Sequence, residues 1–190
     1  MQAIVRFRCH RAALAMLPLL ALVPAAAASA QTAPSSVAAL NVALYTAGAN
    51  MQEASDSGRA ILATAVLRHT LDSLLGGRMA DSSAIEAQAR ISAAAMGGDK
   101  ACNVIVACAR ATGEALGAQW VVMAKVSKTS NLIWLLTGQL IDVRTGKILM
   151  DDSTELKGDP EPMIRAGVRI FAERVSRMVR SGKAEAGAQS

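Results

Sequence analysis

The sequence predicts an α/β or α+β fold in which helices pack on a mixed, mostly antiparallel sheet. Two observations lead to this prediction. The last third of the chain holds three segments rich in β-branched and aromatic residues, joined by short turns as in a three-stranded meander. The rest reads, in order, as a strand, three helices and, after the meander, a closing helix. This order favours layers of helices on a sheet.

The first predicted elements are a strand and a long helix. Residues 37–45 are rich in apolar side chains, among them Val37, Leu40 and Val42, and lead into a turn at Gly48, which is typical of a strand. The helix follows in "DSGRAILATAVLRHTLDSLLGG", where Asp56 or Ser57 can cap its start and two glycines end it. A leucine stripe supports the helical spacing: Leu67, Leu71 and Leu74.

Two shorter, alanine-rich helices come next. The first starts at Asp81 to Ser83 and runs to about Met96, before a glycine pair. The second runs from about Val104 to Leu116. Gly97 and Gly98 end the first of these helices, and Gly117 ends the second.

The meander and the closing helix complete the domain. "QWVVMAKV" and "NLIWLLTGQLIDV" read as strands, and the second is apolar at nearly every position, as expected for a central strand covered on both faces. "DVRTGKI" predicts a hairpin in which Gly146 takes a positive φ before a third strand, "KILMDDSTEL". A helix from about Glu161 to Arg180 then presents one apolar face: Ile164, Val168, Phe171, Val175 and Met178.

The amino terminus predicts a secreted protein. Arg6, Arg8 and Arg11 precede an uncharged apolar stretch that ends in small residues, the pattern of a secretory signal peptide cleaved after Ala30. We therefore expect a signal peptide at residues 1–30, a flexible leader at 31–36, one α/β domain at 37–181 and a disordered tail at 182–190. The expected compartment is the periplasm.

Charge argues against a nucleic-acid partner. The whole chain has 20 Lys and Arg against 15 Asp and Glu, a net charge of +5. Three of the basic residues lie in the expected signal peptide, which leaves a net charge of +2 on residues 31–190. A balance so close to neutral is unlike the basic surfaces that bind nucleic acid.

The stretch "LGAQWVVMAKVSKTSNLIWLLTGQLIDVRTGKILMDD" resembles secreted bacterial α/β domains. It is similar to the amino-terminal domain of TolB, to the CsgG and LpoB group, and to a domain-of-unknown-function family of secreted proteobacterial proteins. The resemblance spans roughly residues 37–180 and implies an assembly, scaffold or activator role without catalysis. The chain departs from CsgG and LpoB in lacking a lipoprotein cysteine.

Cys102 and Cys108 are the only cysteines outside the expected signal peptide. Two cysteines in an oxidising compartment favour a disulfide. Six residues of continuous helix span about 9 Å, beyond the roughly 7 Å limit between bridged Cα atoms. We therefore predict a disulfide in which the helix begins between the two cysteines, with Asn103 as its cap.

Metal or redox chemistry is the alternative for this cysteine pair, and the sequence gives it little support. His69 is the single histidine outside the expected signal peptide, so a zinc site lacks ligands, and the C-x-x-C redox spacing is missing.

The acids around the final hairpin could hold calcium, but Asp151 and Asp152 point to opposite faces of a regular strand. No metal and no cofactor are predicted.

Two surfaces are candidates for a ligand or partner. The polar turn "KVSKTSN" places Lys125, Lys128 and Asn131 between two apolar strands, and a pocket there would favour small-molecule binding. Arg165 and Arg169 begin a basic face on the closing helix, suited to an acidic partner or an anionic membrane surface.

The sequence favours a non-enzymatic periplasmic accessory or scaffold protein that binds a protein or envelope component. A periplasmic small-molecule-binding protein is the first alternative. An enzyme is the second, and it requires acids from distant segments to meet His69 in a cleft. The chain lacks a G-x-S-x-G elbow, and "TGKI" lacks the spacing of a phosphate loop.

Overall fold

The computed structural model describes residues 37–46, 53–98 and 102–181. The expected signal peptide, the leader, the turn at Gly48 and the carboxyl-terminal tail lie outside these described residues. The elements, in chain order, are β1 (Val37–Ala39), β2 (Ala43–Thr46), α1 (Ala54–Leu75), α2 (Ser82–Ala95), a 3-10 turn (Cys102–Val104), α3 (Val106–Ala115), β3 (Trp120–Lys128), β4 (Ile133–Asp142), β5 (Ile148–Lys157) and α4 (Pro160–Arg180).

All five strands form one sheet around β3. The order is β1, β3, β4, β5, and β2 pairs with β3 further along the same edge as β1. β1 and β2 run parallel to β3, whereas β3, β4 and β5 form the antiparallel meander. The predicted fold class, helices on a mixed and mostly antiparallel sheet, is confirmed.

The first strand is the clearest departure from the predicted elements. The sequence predicts one strand over residues 37–45, but the chain forms β1 and β2 with a break at residues 40–42. Side chains of α1 bind the backbone beside the break. The Val42 N–H donates to the hydroxyl of Thr64 (2.9 Å), and the Arg68 Nε donates to the carbonyl of Ala39 (3.2 Å). These bonds to α1 compete with regular strand pairing.

The start of α1 also differs from the prediction. Its N-cap is Glu53 rather than Asp56 or Ser57, and Asp56 lies in the first turn. There the Asp56 carboxylate accepts a hydrogen bond from the backbone N–H of Glu53 (2.9 Å). The apolar stripe runs through Leu67, Leu71 and Leu75, because residues four apart share a helix face. Two other predicted features agree with the structure: Asp81 caps α2, and Gly146 takes φ +73° in the hairpin.

Two apolar clusters lie on the two faces of the sheet. α1 and α4 cover the first face, where Trp134, Leu136 and Phe171 are buried. Gly138 sits directly beneath the ring of Phe171, so a Cβ there would lie 2.3 Å from Cζ. This contact brings α4 close to the sheet.

α2, α3 and the 3-10 turn cover part of the second face, over Val121, Met123 and Ile141. The prediction that the "NLIWLLTGQLIDV" strand is covered on both faces is wrong for most of its length. In β4 buried residues alternate with half-buried ones from Ile133 to Gln139, because α3 does not reach that end of the sheet. β3 is the strand buried on both faces, apart from Lys125.

Candidate functional site

The part of the second sheet face that α3 leaves uncovered is the candidate site. We call it the open face, and it consists of Tyr45, Lys125, Leu135, Thr137 and Gln139. The strand register brings these residues together: Lys125 pairs with Thr137, and Ser127 pairs with both Tyr45 and Leu135. A hollow of about 490 Å³ lies over it. Asn103 and Val104 of the 3-10 turn line this hollow beside the sheet residues.

Lys125 is the cation of the open face. Its Nζ lies 5.6 Å from the centre of the Tyr45 ring, within the range of a cation–π contact. Tyr45 is 57% exposed, so most of its ring remains available to a further molecule. Across the sheet, the Gln139 amide donates to the carboxylate of Asp151 (3.2 Å). The open face therefore combines one ammonium group, one aromatic ring and hydrogen-bonding groups, a combination suited to binding.

Lys128 is not available for the surface contact that the sequence predicts. Its side chain is 1% exposed, and its Nζ donates to Glu53 (2.9 Å) and Asp56 (3.2 Å). Lys125 and Lys128 are three residues apart in β3, so their side chains leave opposite faces of the sheet. Lys128 thus joins the sheet to the start of α1.

Burial and neighbouring charged groups have opposing effects on the pKa of Asp56, and likewise on the pKa of Lys128. Burial by itself raises the pKa of the Asp56 carboxyl, but the N–H of Glu53 and the cations Lys128 and Arg59 outweigh it and hold the pKa below its usual value. Burial lowers the pKa of the Lys128 ammonium, but the carboxylates of Glu53 and Asp56 outweigh it and raise that pKa. Both groups are therefore charged at neutral pH.

Trp134 borders this ion pair and was not singled out from the sequence. The Arg59 guanidinium lies 5.1 Å and the Lys128 Nζ 5.8 Å from its ring centre. The ring lies on the first face, opposite the open face, because Trp134 pairs with Lys128 across β3 and β4. The cluster is therefore structural and separate from the candidate site.

Asn131 lies in the exposed turn between β3 and β4, next to Leu132, which is 67% exposed. The predicted pocket shared by Lys125, Lys128 and Asn131 does not form: of the three, only Lys125 lines the hollow over the open face. Lys128 points inward, and Asn131 lies beyond the end of the strand. Thr137 and Gln139 were missed, although two polar residues at alternate positions of an apolar strand are a recognisable signal of one exposed face.

Arg165 and Arg169 are exposed on α4, which packs on the first face. Arg165 donates to Glu161 (2.9 Å), one helical turn earlier. The structure therefore separates the two predicted surfaces by the thickness of the sheet. Lys125 belongs to the open face, and the arginines belong to the outer side of α4.

The cysteine pair forms the predicted disulfide. Cys102 and Cys108 have Cα atoms 4.8 Å apart, and α3 starts between them at Val106. Cys102 lies in the 3-10 turn instead of the helix, as bridging geometry requires. The predicted cap does not form: the N-cap of α3 is Ile105 rather than Asn103.

His69 is exposed in a shallow hollow of about 340 Å³ that Asp72 and Asp81 also line. Asp81 already caps α2, because its carboxylate accepts hydrogen bonds from the backbone N–H groups of Ser83 and Ala84 (both 2.9 Å).

Within the described ranges, no three His, Cys, Asp or Glu side chains are placed to hold a metal ion. The acids near the final hairpin have separate partners: Asp151 accepts from Gln139, and Asp152 pairs with Arg174.

The helices of residues 53–98 and 102–181 include none long and apolar enough to cross a membrane. The comparison with curated proteins finds no match.

Among solved structures, the LpoB carboxyl-terminal domain of Salmonella enterica is 21% identical over 67% of this chain and 87% of that chain, with a TM-score of 0.45. Lipoprotein GNA1162 of Neisseria meningitidis is 16% identical, covering 66% and 82%, with a TM-score of 0.42. TolB of Acinetobacter baumannii is 17% identical, covering 76% of this chain and 28% of that one, also at 0.42. We draw no functional conclusion from likenesses at this level.

A family match is more extensive. Residues 35–175, which include every described strand and helix except the end of α4, match the DUF3280 family, described as "Protein of unknown function (DUF2380)". The expectation of a domain-of-unknown-function family is confirmed, and the chain belongs to this family.

Proposed function

We propose that this chain is a non-enzymatic periplasmic accessory or scaffold protein, and that its open face binds an envelope protein. The observation that supports the proposal most is the exposure of a regular sheet surface beside α3. Tyr45 and Lys125 stand on this surface above a floor of half-buried β4 residues. A soluble domain normally covers such a surface or uses it.

The residue types favour a protein partner. Tyrosine is enriched at protein interfaces because its ring supplies apolar area and its hydroxyl supplies a hydrogen bond. Leu135 and Ile133 add half-buried aliphatic area next to it, and Leu132 extends this area at the end of the strands. Lys125 then selects for a carboxylate on the partner, because it is the cation at the centre of the face.

Two features of the chain support the proposed compartment. The amino-terminal pattern is that of a cleavable signal peptide, and the disulfide between Cys102 and Cys108 is the type of bond that persists in an oxidising compartment. Both features support export to the periplasm.

A charge-reversal experiment tests the proposal. The full chain, tagged at its carboxyl terminus, is expressed in a bacterium that encodes it and crosslinked in intact cells. We expect one or a few discrete adducts that Lys125→Glu reduces at least about fivefold, because the reversed charge repels the partner's carboxylate.

Arg169→Glu is the matched control, since it makes the same charge change at an exposed site on the other side of the sheet. Thr137→Arg adds a steric block at the centre of the open face and should also remove the adducts. Adducts that survive both open-face variants, or that Arg169→Glu removes instead, would show that the partner binds elsewhere. A chain without specific adducts would count against an accessory role.

A further inference from the structure

A second hollow lies between α2 and the 3-10 turn, on the other side of Asn103 from the open face. Its volume is about 500 Å³. Apolar side chains from three separate parts of the chain line it: Leu40 from the link between β1 and β2, Ile85 and Ala89 from α2, and Cys102 from the 3-10 turn. We call this hollow the α2 groove.

The α2 groove stays open because the residues along α2 are small. Ala89, Ala93 and Ala94 line it, and Gly97 and Gly98 follow at the end of the helix. The opposite wall is held in place by the disulfide, which ties Cys102 to α3. The bridge restricts the motion of this wall, which lowers the entropic cost of binding.

Two charged residues line the groove, Glu86 and Arg90, and Arg68 lies beside it. Arg68 donates to Glu86 (3.0 Å) and to the side-chain oxygen of Asn41 (2.7 Å), so these rim acceptors are already occupied. Arg90, one helical turn after Glu86, is exposed and also lines the groove. Within the described ranges, the Arg90 guanidinium has no acidic partner.

We propose that the α2 groove binds a small anionic amphiphile. Its alkyl chain lies along Ala89, Ala93 and Ala94, above a buried apolar floor, and its single carboxylate meets the guanidinium of Arg90. The floor consists of Leu40, Ile85 and Cys102. The volume lies within the range of about 300–1,000 Å³ that is usual for ligand pockets, and an apolar floor with a few polar or charged groups at the rim is the usual lining of such pockets. This site is distinct from the open face and does not depend on a protein partner.

Titration calorimetry of the full chain with decanoate tests the proposal, with octanoate, dodecanoate and neutral decan-1-ol as comparisons. We expect saturable one-to-one binding below the critical micelle concentration. Each two-carbon extension should tighten binding by up to about fifteenfold, since a fully buried methylene is worth about fourfold. Decan-1-ol should bind more weakly than decanoate. No saturable binding of decanoate up to 1 mM, or equal binding of the alcohol, would refute the proposal.

Variants locate the site. Arg90→Gln should weaken decanoate about three- to tenfold and leave decan-1-ol unchanged, because it removes only the contact with the carboxylate. Ala93→Phe should weaken both ligands by filling the groove. Arg169→Gln, the control on α4, should change neither. Amide chemical shifts should move at residues 85–94 and 102–104. Shifts confined to the open face, or equal losses with Arg90→Gln and Arg169→Gln, would place binding elsewhere.

Discussion

Replacing Asp56 by Asn tests whether the buried ion pair anchors α1 to the sheet. The Asp56 carboxylate accepts from Lys128 and from the backbone N–H of Glu53, and it also pairs with Arg59. The amide retains the shape of the side chain but loses its charge. The ammonium group of Lys128, 1% exposed, is then left with Glu53 as its remaining acid.

The size of the effect follows from the surroundings of the pair. Breaking a buried ion pair by removing one partner costs about 3–5 kcal/mol. Glu53 is 51% exposed and still bonds to Lys128, so water reaches one side of the cluster and the lower limit applies. We expect the free energy of unfolding to fall by about 3 kcal/mol, which lowers the Tm by about 6–12 °C for a domain of this size.

Urea unfolding followed by tryptophan fluorescence measures this change. Asp72→Asn, on an exposed part of the same helix, is the control and should stay within about 0.5 kcal/mol of the parent. The double variant Asp56→Asn with Lys128→Met should be less destabilised than the sum of the two single variants, because it leaves no unpaired ammonium group. A cost below about 1 kcal/mol for Asp56→Asn, or strictly additive effects, would refute the anchoring role.

Three further predictions concern stability. Since its pKa is lowered in the folded state, Asp56 stabilises the fold above its unfolded pKa of about 3.9, and this contribution is lost as the pH falls through the lower folded value. The free energy of unfolding should therefore fall less steeply between pH 5 and pH 2 in Asp56→Asn than in the parent protein. The same pH dependence in both proteins would contradict this role of Asp56. Replacing both Cys102 and Cys108 by Ser should lower the free energy of unfolding in urea by about 2 kcal/mol, as expected for so short a closed loop. Two free thiols titrated in the unfolded parent protein would disprove the bridge. Gly138→Ala should cost about 1–3 kcal/mol through overpacking against Phe171, and Phe171→Leu in the same chain should recover part of it; a stable Gly138→Ala protein would rule out the tight contact.

Local sequence patterns were sufficient to predict the ends of elements that are set by their own residues. Asp81 begins α2 because its carboxylate accepts from the first turn, and Gly146 turns the hairpin because its φ is +73°. The disulfide was predicted from the two cysteines of the expected mature chain, and helical rise then placed the start of α3 between them. The closing helix was predicted to within one residue of its observed start.

The errors involve contacts between distant segments. Lys128 is buried because Asp56, 72 residues earlier, and Glu53 receive its ammonium group, and no local pattern shows this. The first strand breaks where its register with β3 shifts by one residue, and Thr64 and Arg68 of α1 bind the backbone at this place. The apolar pattern of β4 looked like burial on both faces, but the length and position of α3 decide how much of the sheet is covered.

The candidate site could be predicted in part. Lys125 was identified as part of a polar turn between two apolar strands, whereas it lies within β3, on the open face. Tyr45 was read as part of the strand's apolar pattern, because a tyrosine in a strand gives no sign of which face it occupies until the register with β3 is known. The α2 groove had no sequence signal, since alanines on a helix are equally compatible with close packing.

Site-specific photo-crosslinking from the open face tests the proposed function most directly. A photoreactive amino acid is placed at Thr137, at the centre of the open face, and separately at Ser73, an exposed position on α1. We expect a discrete protein adduct in intact cells from position 137, reduced by Lys125→Glu, and none from position 73. Equal adducts from both positions, or adducts from position 73 alone, would contradict it.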